Sequence, residues 1–135
     1  MRTWTERLNA PAEAVVKPAP VSIAGMKAGE IMFVPTPGTI DAFMRSIAHG
    51  THVSVQQMRR QLAELNGAEV TCPIYTGYHL RTVSEAACEA LERGVPLAEV
   101  TPFWRVLDAG APTTGRLNCG AKFVAEQRRR EGLQD

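Results

Sequence analysis

A single α+β domain of winged helix-turn-helix type, behind a proline-rich N-terminal arm, is the fold predicted by this sequence of 135 residues. Three observations lead there. Three amphipathic helical segments follow one another between residues 36 and 94, each closed by a glycine. A short apolar run precedes them. Two extended stretches around a loop containing glycine and proline, then one last helix, follow them. A chain of this length forms one compact domain and buries roughly two-thirds of its unfolded surface.

Residues 1–28 read as the arm and residues 29–135 as the domain. Trp4, Leu8 and Val15 could share one short amphipathic turn. Lys17-Pro18-Ala19-Pro20 enforces an extended path, because proline fixes φ and removes a donor. A tethered extension is one reading of the arm. The other is that Trp4 docks on the domain, which the cost of exposing an indole favours.

Ile31-Met32-Phe33-Val34 is an apolar run ended by Pro35 and reads as a buried strand. Thr36-Pro37 supplies a helix start, and Ile40, Phe43, Met44 and Ile47 share one face until Gly50. Ser54 and Gln57 form a capping box for a second helix. Its inward stripe is Val55, Met58, Leu62 and Leu65, and Asn66-Gly67 stops it. A third helix follows the Cys72-Pro73 turn, with Thr76 as cap and Leu80, Val83, Ala87, Ala90 and Leu91 buried. Residues 103–107 read as a strand and residues 115–117 as its return in a short β-wing. The last helix covers about residues 121–130, with Phe123 and Val124 inward.

Composition narrows the function classes. The 44% hydrophobic content suits a globular domain, and no apolar run is long enough for a membrane span. The N-terminus lacks the pattern of a secretory signal, so a cytoplasmic protein is expected. Fifteen basic and 14 acidic side chains give a net charge of +1, short of the balance of a dedicated nucleic-acid binder. The tail is more basic than the rest, through Arg105, Arg116, Lys122, Arg128, Arg129 and Arg130. Cys72, Cys88 and Cys119 show no Cys-x-x-Cys pair, so neither a zinc site nor a disulfide framework is indicated. His49, His52 and His79 form no helical ligand pair with a carboxylate. No metal and no cofactor are expected.

Thr101-Pro102-Phe103-Trp104-Arg105-Val106 resembles the Pro-Cys-His-Arg-Val active-site stretch of the alkylguanine-DNA alkyltransferases. Gly50-Thr51-His52-Val53-Ser54-Val55 is similar to the Gly-Lys-Val-Thr-Thr-Tyr segment of their DNA-binding domains. Arg116-Leu117, and Gln127-Arg128 with Glu131-Gly132, resemble their wing and closing helix. The likeness covers about residues 29–133. A bacterial subfamily of alkyltransferase-like proteins of unassigned function is closer. It resembles this chain at Trp4 and the proline-rich arm, at Asp41-Ala42-Phe43-Met44-Arg45, and at Thr71-Cys72-Pro73-Ile74 with Thr76-Gly77. It also shares Pro102-x-Trp104-Arg105-Val106. The Asn118-Cys119-Gly120 segment and the spacing of residues 127–131 are shorter here.

The resemblance implies a helix-turn-helix that enters the minor groove and rotates a damaged base out of the stack. It also implies that the reaction is lost. Phe103 stands at the alkyl-accepting cysteine and Trp104 at its histidine partner, and neither accepts an alkyl group by displacement. Val55 takes the position of the base-rotating tyrosine. Glu85 takes that of the arginine, unless Arg81, one turn upstream, serves instead.

The leading expectation is therefore a non-catalytic protein that binds double-stranded DNA and recognises modified or flipped bases in repair. Phe103, Trp104 and Arg105 would line a pocket. Alternation on a strand would instead bury one of the two aromatics and leave Arg105 to pair with a carboxylate or carbonyl. Thr76, Tyr78, His79 and Arg81 would face the groove, and Arg128, Arg129 and Arg130 the backbone. A competing expectation is a protein–protein interaction module without DNA, favoured by the even charge and by Glu85, Glu89 and Glu92 on the third helix. A third is a thiol enzyme with Cys72 as nucleophile and His79 or His52 as base, against which stands the tendency of free cysteines to be buried and inert.

Overall fold

The computed structural model describes residues 2–134. Five helices and a small three-stranded sheet make a mixed α+β domain. Helix α1 is Trp4–Asn9, α2 Pro37–Arg45, α3 Val55–Leu65, α4 Pro73–Glu92 and α5 Gly120–Arg130. Strands β1 (Val15–Pro18), β2 (Ile31–Val34) and β3 (Val70–Thr71) lie in that order, β1 antiparallel and β3 parallel to β2.

The apolar periodicities build one main core. Ile40, Met44 and Ile47 of the α2 region meet Met58 and Leu62 of α3, Leu80, Val83 and Ala87 of α4, and Val124 of α5. Two of the three expected caps are formed: Thr36 with Thr39 closes the start of α2, and Ser54 with Gln57 that of α3, while Thr76 lies inside α4. Leu65, expected inside, is exposed at the end of α3, and Ala63 is buried instead. A second, smaller cluster of Ala19, Met26, Met32 and Cys72 fills the space beside the sheet.

The N-terminal stretch is folded onto this core. Glu89 of α4 accepts hydrogen bonds from the backbone N–H groups of Trp4 (3.2 Å) and Thr5 (2.8 Å) and from the Thr5 hydroxyl (2.9 Å). The carboxylate thus satisfies donors that the first turn of α1 leaves open. Burial raises the Glu89 pKa, but these bonds and Arg93 lower it by more, and the net shift is downward. The Trp4 indole lies beneath the guanidinium groups of Arg7 and Arg81, at 4.6 and 5.1 Å from the ring centroid. Strand β1 then pairs with β2, with Val15 opposite Val34. The β1–β2 connection contains a two-residue turn at Ala24-Gly25, with both φ positive at 48° and 85°. That backbone matches the twist of a hairpin.

Three expectations are corrected. Residues 103–107 do not form a strand: Phe103–Arg105 is a 3-10 turn buried on both sides, with Phe103 and Trp104 together in the core. No β-wing follows among the described residues. The Asp108 carboxylate accepts from the Gly110 N–H, the Thr114 hydroxyl donates to the Asp108 carbonyl, and a second 3-10 turn occupies Thr114–Arg116. These local bonds use the backbone that a hairpin would need. Helix α4 begins at Pro73 rather than after Thr76, because proline suits the first helical position.

The cysteines also differ from the expectation. Cys88 of α4 and Cys119, the residue before α5, form a disulfide with Cα atoms 5.7 Å apart. They lie 31 positions apart in the sequence, so no short motif announces the pair. No helix among the described residues is long and apolar enough to cross a membrane.

Candidate functional site

The stretch that carries the resemblance is clamped from α5. The Trp104 indole N–H donates to Glu131 Oε2 at 2.6 Å, and Arg105 donates to the same carboxylate from Nε and Nη2 at 2.9 to 3.1 Å. Arg105 Nη1 reaches the Ile47 carbonyl at 2.8 Å, and the Gly50 N–H donates to Glu131 at 2.8 Å. Burial alone would raise the Glu131 pKa. The bonds from Arg105, Trp104 and Gly50 outweigh it and hold the carboxyl at about 2. Arg105 is thus paired with a carboxylate and a carbonyl.

Phe103 is fully buried and packs against Phe123 at 5.9 Å between centroids and Trp104 at 5.4 Å. It lines no pocket. Its aromatic ring is enclosed by the core. Trp104 and Arg105 do border an open cleft of about 520 Å³, with Arg45, His49, Pro102 and Arg130.

The groove residues expected on α4 separate. Thr76 is 1% exposed and its hydroxyl donates to the Cys72 carbonyl, so it presents nothing outward. His79 is half-buried, stacks on Tyr75, and has its pKa lowered by burial, offset in part by a hydrogen bond to the Pro35 backbone. Tyr78 is 69% exposed. Arg81 lies between the Trp4 ring and Glu85, whose carboxylate is 3.7 Å away. Tyr78 and Arg81 share a cleft of about 330 Å³ with Ile74, Gly77, Thr113 and Arg116. Arg116 and Ile74 are members of this face that no sequence motif assigned to it. They come together only because α4 starts one turn early and the 108–116 loop folds back.

The acidic residues of α4 do not crowd that cleft. Glu85 is buried and accepts from the Asn118 N–H at 2.9 Å, and Glu89 holds the start of α1. Only Glu92 remains exposed, at the far end of the helix. The repulsion expected from all three reduces to this one.

The three arginines of α5 also part company. Arg128 is 3% exposed, and its guanidinium donates to the Trp104 carbonyl (2.8 Å) and the Gln134 carbonyl and contacts His52 Nδ1 (3.1 Å). It is a buried brace that holds protein carbonyls and presents no guanidinium to a DNA phosphate. Arg129 and Arg130 are exposed and both pair with Glu126.

Cys72 is 4% exposed within the small cluster beside the sheet. Its proposed bases are engaged elsewhere, His52 with Arg128 and His79 with Pro35 and Tyr75. Among the described residues no group of three His, Cys, Asp or Glu stands close enough to hold a metal ion. Compared with protein-family models, curated proteins and solved structures, the chain has no significant match.

Proposed function

We propose that this chain is a non-catalytic, alkyltransferase-like protein that binds double-stranded DNA with the first turns of α4. The observation that carries the reading is the cleft in which the exposed Tyr78 ring lies with Arg81 and Arg116. An exposed aromatic ring sharing a cleft with cations suits nucleic acid, where stacking adds to phosphate neutralisation. The winged-helix kinship then rests on α3 and α4, with the 108–116 loop in place of a wing. Phe103 fills the site of the missing nucleophile, so any modified or flipped base is read outside that position. A role in DNA repair follows only from the resemblance. A cytoplasmic location belongs to the same proposal, and reducing conditions there would oppose the Cys88–Cys119 bond.

The test is a fluorescence anisotropy titration at low salt, with plain and alkylated duplexes. Binding that weakens steeply as salt rises supports the reading. No binding, or binding indifferent to salt, ends it.

A protein partner is the second reading. Ile74, Tyr75 and Tyr78 are 45%, 48% and 69% exposed on one end of α4, an apolar and aromatic surface of the kind that interfaces use. One stoichiometric partner in a pull-down, with no DNA retained, selects it.

A further inference from the structure

The open cleft beside Trp104 is independent of the α4 surface and shares no lining residue with it. Its volume of about 520 Å³ falls within the range of small-molecule sites. Val100, Pro102 and Trp104 give it a buried apolar floor, and Leu97 adds to one side. Cations dominate its polar lining: Arg45, Arg105 and Arg130, with His49 beside them. The one carboxylate, Glu131, is already taken by Arg105, the Trp104 indole and the Gly50 N–H.

The remaining donors are not used up. Arg45 spends Nε on Asp41 and Nη1 on the Glu99 carbonyl, which leaves Nη2 without a bond among the described residues. Arg130 spends Nε on Glu126, which leaves both Nη atoms without one among the described residues. The last turns of α2 and α5 border the cleft, and their helix dipoles favour a cation there. Arg45 and Arg130 sit on those same turns and offset that field.

From this arrangement we infer that the cleft is a binding site for a small apolar anion, an aromatic carboxylate or phosphate monoester. The ring lies on Pro102 and Trp104, and the anionic group meets Arg45 and Arg130. A fork of guanidinium donors suits either headgroup.

The full chain carries two indole N–H groups, Trp4 and Trp104, on separate surfaces. Their NMR signals, assigned with a Trp4→Phe variant, report the site directly. Phenyl phosphate and phenylacetate are each titrated, with benzyl alcohol and benzylamine as neutral and cationic controls. At least one anion should shift the Trp104 signal saturably at about 1 mM or below, and leave Trp4 still. Whichever binds more tightly identifies the headgroup. Arg130→Ala, at an exposed side chain, should weaken binding about tenfold, the worth of one charge-assisted hydrogen bond. The inference fails if neither anion gives a saturable shift. It also fails if benzyl alcohol or benzylamine binds as well as the anions, or if Arg130→Ala binds unchanged.

Discussion

Arg105 grips Glu131 through Nε and Nη2 while its third nitrogen holds the Ile47 carbonyl, so one side chain joins the Phe103–Arg105 turn, the end of α5 and the segment that follows α2. The Glu131 side chain is 6% exposed, so its charge is little screened. Its carboxyl is held at about 2, below the ordinary value of 4.5. A depressed carboxyl stabilises the fold above its unfolded pKa and loses that stabilisation as the pH falls. The contribution, on the order of 3 kcal/mol, should be complete above about pH 5 and vanish toward pH 2. Denaturant unfolding of the native chain and of Glu131→Gln at pH 7, 5 and 3 checks this. The variant should be much the less stable at pH 7 and lose less stability on acidification. Parallel pH profiles would contradict the assignment.

Restoring the residues that the resemblance expects should not restore a reaction. Phe103→Cys with Trp104→His places a thiol in the core, where Phe103 is 0% exposed. The single change Phe103→Cys should cost about 3 kcal/mol through loss of packing. Intact-mass analysis after exposure to an alkylguanine substrate should show no adduct on the double variant. An adduct on the introduced thiol would mean that the position is accessible after all.

Cys88–Cys119 pins α4 to the start of α5. Non-reducing mass spectrometry should find the purified chain lighter by two hydrogens, with one thiol, Cys72, that reacts only after unfolding. Cys119→Ser should lower unfolding stability by about 2–4 kcal/mol. Three reactive thiols in the native chain would contradict both statements.

Ala24 adopts a positive φ of 48° in the β1–β2 turn, the only described residue other than glycine to do so. Asparagine tolerates that region better than alanine. Ala24→Asn should therefore raise stability by up to about 1 kcal/mol, measured by denaturant midpoint. A loss of stability would mean that Ala24 serves some packing role that its exposed position does not suggest.

Elements with a complete local code were readable in the sequence. Helices α2 and α3 carry their caps and most of their apolar stripes in consecutive residues, and both formed, although α2 ends at Arg45, short of Gly50, and Leu65 is exposed. Strand β3 has two residues and no pattern, and β1 ends in a proline, so neither announced itself. The Phe103–Arg105 turn misled for a physical reason: a short run with adjacent aromatics reads as a strand, and periodicity alone cannot tell it from a turn buried in the core. Of the expected contact residues, Tyr78 and Arg81 share a cleft and Trp104 and Arg105 share another. Thr76 and Arg128 turned inward because polar atoms near the core found partners there. Glu131 was visible only as part of a closing motif, since its partners lie 26 and more residues away. Arg116 joined Tyr78 through a loop whose bonds no periodicity encodes.

The most direct test of the proposed function compares duplex binding by the native chain, Tyr78→Ala and Arg116→Ala in one anisotropy series across salt concentrations. Tyr78→Ala should weaken binding by about 1–3 kcal/mol. Arg116→Ala should weaken it for every sequence and lower the salt slope by about one. Native binding left unchanged by both substitutions would contradict the placement of DNA on the α4 cleft.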